Sequence, residues 1–123
     1  MGEATGAFVK LLALLILYGC AAAFADEGLH FQKATVAKMS KGEVQMTRVE
    51  ISGTVEYVKK EADGDIHFRL CDAGHVCVVC EIMPQIPFPS PKLHQGYTVQ
   101  GVMRFDGEHK WYEVHPVTGL KKD

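Results

Sequence analysis

The chain has 123 residues and a formal net charge of −2, from 13 basic and 15 acidic side chains with no long run of either sign. That length accommodates one domain. Proteins that grip polyanions by charge alone carry a basic excess, so the balance argues against strong non-specific nucleic-acid binding.

At the N-terminus, Lys10 precedes the apolar run Leu11-Leu12-Ala13-Leu14-Leu15-Ile16-Leu17, which is too short to span a bilayer by itself. Small residues follow, ending in Ala23-Phe24-Ala25, and Asp26-Glu27 makes a polar start. This layout predicts a signal peptide over residues 1–25, cleaved after Ala25, and a periplasmic or secreted mature chain with no membrane span. An uncleaved anchor is the competing reading. Leu17-Tyr18-Gly19-Cys20 also resembles a lipoprotein signal, although Tyr18 is bulky where that pattern has a small residue. Lipid anchoring at Cys20 therefore ranks second.

Residues 26–47 read as an N-terminal extension in which Thr35–Lys41 makes a short helical turn before Gly42. Beyond it, over residues 48–123, the pattern has period two with turn signals between runs, as in an all-β domain. The first predicted strand is Arg48–Lys60, where Val49, Ile51, Gly53, Val55 and Tyr57 alternate with polar residues. Mid-strand Gly53 marks a bend or a close backbone approach. "EADGD" at Glu61–Asp65 is a hairpin turn. The second strand, Ile66–Cys71, points Ile66, Phe68 and Leu70 inward and His67, Arg69 and Cys71 outward. "DAGH" turns the chain into the third strand, which ends at Ile82. Four of the five prolines then fall at 84, 87, 89 and 91, predicting a stiff extended loop. The fourth strand, Tyr97–Phe105, has Gly101 at its middle. "DGEHK" turns into the last strand, Trp111–Val117, which runs on towards Leu120.

Five strands, two of them bent at glycines, roll up and remove their open edges. The segments "VEISGTVEYV", "DIHFRLCDAGHVCVVCE" and "GYTVQGVMRFDGEHKWYEVHPV" resemble the OB-fold, in particular nucleic-acid-binding domains of the tRNA-anticodon type. The leader and short helical segment are similar to bacterial periplasmic OB-fold proteins of poorly defined function. The resemblance implies a five-stranded Greek-key barrel, with a proline-rich loop in place of the helix between the third and fourth strands. It also implies an oligonucleotide or oligosaccharide ligand on the face of the second and third strands.

Cys77-Val78-Val79-Cys80 is a C-x-x-C, but in a strand its two thiols point to opposite faces. No helix N-terminus is signalled to activate a thiol, and no second ligand pair completes a zinc site. If Glu81 points out, then Cys77 and Val79 do too, while Val76, Val78, Cys80 and Ile82 point in. Setting Leu70 opposite Val78 brings inward residues to inward residues, with Arg69 facing Val79, His67 facing Glu81 and Cys71 facing Cys77. This predicts a Cys71–Cys77 disulfide and a buried free Cys80. Three reduced structural cysteines remain the alternative.

The outward residues supply the candidate site. His67, Arg69, Glu81, Arg104, Trp111, Glu113 and His115 are the candidate ligand-binding set, with Trp111 stacking on a ring and the arginines meeting charged or polar groups. His67, His109 and His115 with Asp106 or Glu113 are suitable ligands for a divalent ion, but their spacing is not diagnostic, and no metal or other cofactor is expected. Solvated strand faces are the bland alternative. "EADGDIHFRL" resembles the Asp-Gly-Asp segment of staphylococcal-type nucleases, calcium-dependent enzymes that also use an OB barrel. Asp63, Asp65, Arg69 and Asp72 match parts of their set. The continuation Cys71-Asp72-Ala73-Gly74 departs from that family, which has a proline and a glutamate there, and no later arginine segment matches. An envelope module holding a protein partner on Ile86, Phe88 and Leu93 is the other alternative, against a plain capping role for that loop. The expected protein is thus a monomeric, non-catalytic binding module.

Overall fold

The computed structural model describes residues 30–123; the signal-peptide and Cys20 readings lie outside the described residues. The elements are β1 (Gln32–Lys33), α1 (Val36–Ser40), β2 (Arg48–Lys60), β3 (Ile66–Cys71), β4 (Cys77–Ile82), β5 (Gly96–Asp106) and β6 (Trp111–Lys122). Phe31–Asp123 form one compact unit. No helix among the described residues is long and apolar enough to cross a membrane.

The ring closes through β2. Its first half, Arg48–Thr54, pairs antiparallel with β5, and its second half, Thr54–Lys60, pairs antiparallel with β3. From there β3 pairs with β4, β4 runs parallel to β6, and β6 returns antiparallel to β5. The order β2-β3-β4-β6-β5-β2 is the closed Greek-key ring of an OB barrel.

Glycine permits two close approaches to the backbone of a neighbouring strand. A β-carbon at Gly53 would sit 2.6 Å from the Cys71 carbonyl oxygen, where β2 changes partners. One at Gly101 would sit 2.5 Å from the Pro116 carbonyl oxygen, where the β5–β6 register shifts. Neither neighbour is a flexible side-chain tip, so both strands bend only because these residues lack a side chain.

The barrel interior holds Phe68, Leu70, Val78, Cys80 and Ile82 with valines from β2, β5 and β6. Helix α1 adds Val36 and Met39 to this core and packs against β2, β4 and β6. The side-chain oxygen of Thr35 caps the helix by accepting from the Lys38 N–H at 3.1 Å. The proline-rich loop contributes Phe88, packed against the core, while Ile86 and Leu93 stay exposed. Tyr97 ties the loop down, its hydroxyl accepting from the Lys92 N–H at 3.0 Å.

The strand alternation breaks in three places. Tyr57, expected inward, is exposed because a bulge at Glu56 shifts the β2–β3 register between Val55 and Tyr57, so Val58 takes the inward place. Val76 precedes β4 and is exposed rather than inward. Cys71 and Glu81, placed on the outward face, are nonetheless buried, at 1% and 8% exposure.

The β3–β4 register is the one that matching inward residues requires: Leu70–Val78, Arg69–Val79, His67–Glu81 and Cys71–Cys77 are directly opposed. The Asp72 N–H donates to the Val76 carbonyl at 2.9 Å, so the adjacent Cys71–Cys77 pair is of the non-hydrogen-bonded kind, whose Cα atoms stand closest. They are 4.0 Å apart and the disulfide is formed. Cys80 is a buried free thiol, and burial, with Glu113 and Glu81 nearby, pushes its pKa far up. It is inert as a nucleophile at neutral pH.

Two stability measurements follow from these contacts. In urea denaturation, Gly101→Ala is expected to cost about 1–3 kcal/mol through overpacking, whereas Gly107→Ala, with nothing within 4 Å of the new methyl, is expected to be close to neutral. Replacing both Cys71 and Cys77 by Ser opens a loop of sequence separation 6 and is expected to cost about 2 kcal/mol on loop-entropy grounds.

Candidate functional site

The bulge that turns Tyr57 outward also builds a groove. Its floor is the outer face of β2 and β3, and its ends are the Glu61–Asp65 turn and the β5–β6 turn. Tyr57, Lys59, Glu61, His67, Arg69, Val79, His109 and Trp111 line it.

Two stacked pairs shape the groove. The Arg69 guanidinium lies over the Tyr57 ring at 4.6 Å, a cation–π contact that holds a flexible cation in place. The His109 and Trp111 rings are stacked, with centroids 4.6 Å apart and planes 8° from parallel. Trp111 and Tyr57 remain 40% and 39% exposed, so each keeps free ring surface for a ligand. Lys59 adds a further cation; Glu61 lies 3.8 Å from both the Lys59 ammonium and the His67 Nδ1.

Asp106 organises the β5–β6 turn. Its Oδ1 accepts from the Glu108 and His109 N–H groups at 2.9 and 3.2 Å, and its Oδ2 lies 2.8 Å from His109 Nδ1. The side-chain bond to Asp106 raises the His109 pKa above the ordinary 6.5. The bond to His109 in turn lowers that of Asp106 below its usual range. The bond to Asp106 also fixes the imidazole at the mouth of the groove, against the Trp111 face.

Beside the groove is a second, drier cluster. Glu113 is 1% exposed, and its Oε2 accepts from Arg104 Nη2 at 3.0 Å. Glu81 Oε1 lies 3.4 Å from His67 Nε2 and 3.2 Å from His115 Nδ1. Burial raises the Glu81 pKa; His115 and His67 oppose the shift, and Glu113 adds to it.

The seven candidate ligand residues therefore divide. His67, Arg69 and Trp111 line the groove, while Glu81, Arg104, Glu113 and His115 form the cluster beside it. His67 belongs to both. The candidate divalent set divides as well, because Asp106 and His109 sit at the β5–β6 turn, apart from Glu113 and His115. Tyr57 and Lys59 were missed, since simple alternation from Val49 put Tyr57 inside. The signal available was Val58-Lys59-Lys60, whose valine marks the alternation resuming one residue later. Asp63, Asp65 and Asp72 do not converge. Asp63 accepts from the Asp65 N–H at 3.0 Å within the hairpin turn, and Asp72 accepts from the Gly74 and Val76 N–H groups. The six residues of β3 separate those turns, a span of about 20 Å.

No protein-family model matches the chain. No curated protein matches it. Solved structures do. The telomere capping protein Ten1 from Saccharomyces pombe matches with a TM-score of 0.55 at 18% identity, over 76% of this chain and 81% of that one. A chain of the S. pombe Stn1–Ten1 complex matches at 0.54 and 18% identity, over 76% of each. A chain described as an aspartyl-tRNA synthetase from Leishmania major Friedlin matches at 0.60 and 14% identity, over 75% of this chain and 20% of that one. At these identities the likeness is one of fold, and it agrees with the OB strand order.

The Asp106–His109 pair carries a pH signature. Stability from the raised His109 pKa is complete below pH 6.5 and fades as pH rises through the raised value, whereas that from the lowered Asp106 pKa is present above pH 3.8 and fades as pH falls through the lowered value. The pair thus stabilises the turn between those limits. In an NMR pH titration the His109 imidazole is expected to titrate above 6.5, and Asp106→Asn is expected to return it towards the ordinary value.

Proposed function

We propose that the barrel is a non-catalytic binding module that holds a short single-stranded oligonucleotide in the groove over β2 and β3, outside the cytoplasm. The observation that carries this reading is the pairing of exposed aromatic rings with basic side chains along one open channel: Tyr57 under the Arg69 guanidinium, and Trp111 stacked on the His109 ring. Ring faces take bases, and Arg69 and Lys59 take the phosphates between them. The cavity is about 240 Å³, below the ~300–1,000 Å³ of sites that enclose a whole small molecule. Such a space suits one ring at a time from a polymer lying along the face. The mildly acidic chain keeps the electrostatic contribution local, so stacking supplies most of the affinity.

The OB neighbours support a binding role, since one caps telomeres and one is found in a two-protein complex. The disulfide supports an extracytoplasmic location, because such bonds persist in oxidising compartments. It agrees with the secretory layout of residues 1–25.

Fluorescence anisotropy with a labelled single-stranded oligonucleotide, at low and moderate salt, tests the reading. Saturable, salt-sensitive binding is expected. Trp111→Ala should weaken it by about 1–3 kcal/mol, and Arg69→Ala should weaken it and reduce the salt slope by about one. Absence of binding even at low salt would remove this ligand class and turn attention to oligosaccharides.

A further inference from the structure

The cluster beside the groove is not needed to bind an oligonucleotide, and its chemistry is of another kind. Strands β4 and β6 run parallel with Val79 beside Glu113 and Cys80 beside Val114. One residue further along, Glu81 of β4 comes beside His115 of β6. One ligand atom each from Glu81, Glu113 and His115 lies within 4.8 Å of the other two. Two carboxyl groups are therefore buried together, an arrangement that is costly unless positive charge accompanies them.

Each carboxyl is already held from outside. Arg104 grips Glu113 through Oε2, which leaves the other oxygen of Glu113 free of that contact. On the far side, His67 Nε2 approaches Glu81. His115 Nδ1 is different: it is buried, it stands 3.2 Å from Glu81 Oε1, and it makes no hydrogen bond. The pair has the distance of an ion pair without hydrogen-bond alignment. Two ligands at about 2.0–2.1 Å from a tetrahedral ion stand ~3.3 Å apart, which is this spacing. Imidazole with carboxylate is a donor set that zinc accepts readily. Outer partners on each carboxylate, of the kind Arg104 and His67 provide, orient ligands in such sites.

We propose that Glu81, Glu113 and His115 form a binding site for a divalent transition-metal ion of the zinc class, oriented from outside by Arg104 and His67. Three protein ligands are one fewer than a closed structural zinc site uses, so one position is left for water or a ligand group. The site stands apart from the groove reading except through His67 and does not depend on it. The competing occupant is a proton shared by the two carboxyls.

The test uses the purified protein, stripped with chelator, loaded with zinc, desalted and assayed by elemental analysis and thermal unfolding. One zinc per chain and a zinc-dependent rise in Tm are expected. His115→Ala and Glu81→Gln should lose the metal, and Arg104→Ala should weaken binding about 10- to 100-fold. His75→Asn, at an exposed histidine in the β3–β4 turn, should retain it. To guard against variants that fail to fold, nitrogen NMR of the wild-type protein should show the His115 Nδ1 resonance shifting on zinc addition while His75 and His109 stay in place. No retained zinc, an unmoved His115 resonance, or equal retention in folded His115→Ala and Glu81→Gln would each overturn the proposal and leave the shared proton.

Discussion

Strand β2 must satisfy two neighbours. Its amide groups bond β5 along one half and β3 along the other, and the change of partner falls where the Cys71 backbone crosses at Gly53. A β-carbon there would come within 2.6 Å of the Cys71 carbonyl oxygen, so the two strands could not keep this approach. Among the described residues, closing the ring gives every long strand a neighbour on both sides, which shortens the edges open to another chain. A barrel assembled from fewer than a hundred residues has little core to spare, which explains why α1 is drawn in to bury Val36 and Met39.

The groove is a by-product of the same closure. A strand that curves tightly around a small ring accommodates extra twist at a bulge, and the bulge at Glu56 moves Tyr57 from the core side to the outside. There its ring meets Arg69, two strands' outer faces become one aromatic and cationic channel, and the β5–β6 turn closes the far end with Trp111 and His109. Asp106 sets that end by spending both carboxylate oxygens on the turn and its histidine. The polar atoms that would otherwise leave the turn free are thereby used to fix the ring stack.

The parallel contact of β4 and β6 has a different consequence. It is the shortest pairing in the barrel, and it joins two outward faces that each carry carboxylates and histidines. Side chains that would be solvated on separate strands become buried when brought together, as Glu81 and Glu113 show. Arg104 and His67 then hold a compact polar cluster directly against the groove wall.

Strand positions, turns, the helical segment and the β3–β4 register were legible because each depends on neighbours in sequence. Alternating apolar residues, Asp-Gly turns and the requirement that inward faces inward suffice to set Leu70 against Val78, and that register alone places Cys71 beside Cys77. Tyr57 was misplaced because a bulge inserts one residue into the count, and only the pairing of β2 with β3 reveals where. The division of the candidate residues into an open groove and a buried cluster was likewise beyond the sequence. It depends on β6 lying parallel to β4, a contact between segments some thirty residues apart. The sequence by itself determined the strands, their turns and the β3–β4 register, because these follow from local alternation; the tertiary structure decided where the bulge turns Tyr57 outward and which outward residues meet, because both depend on how the sheet closes.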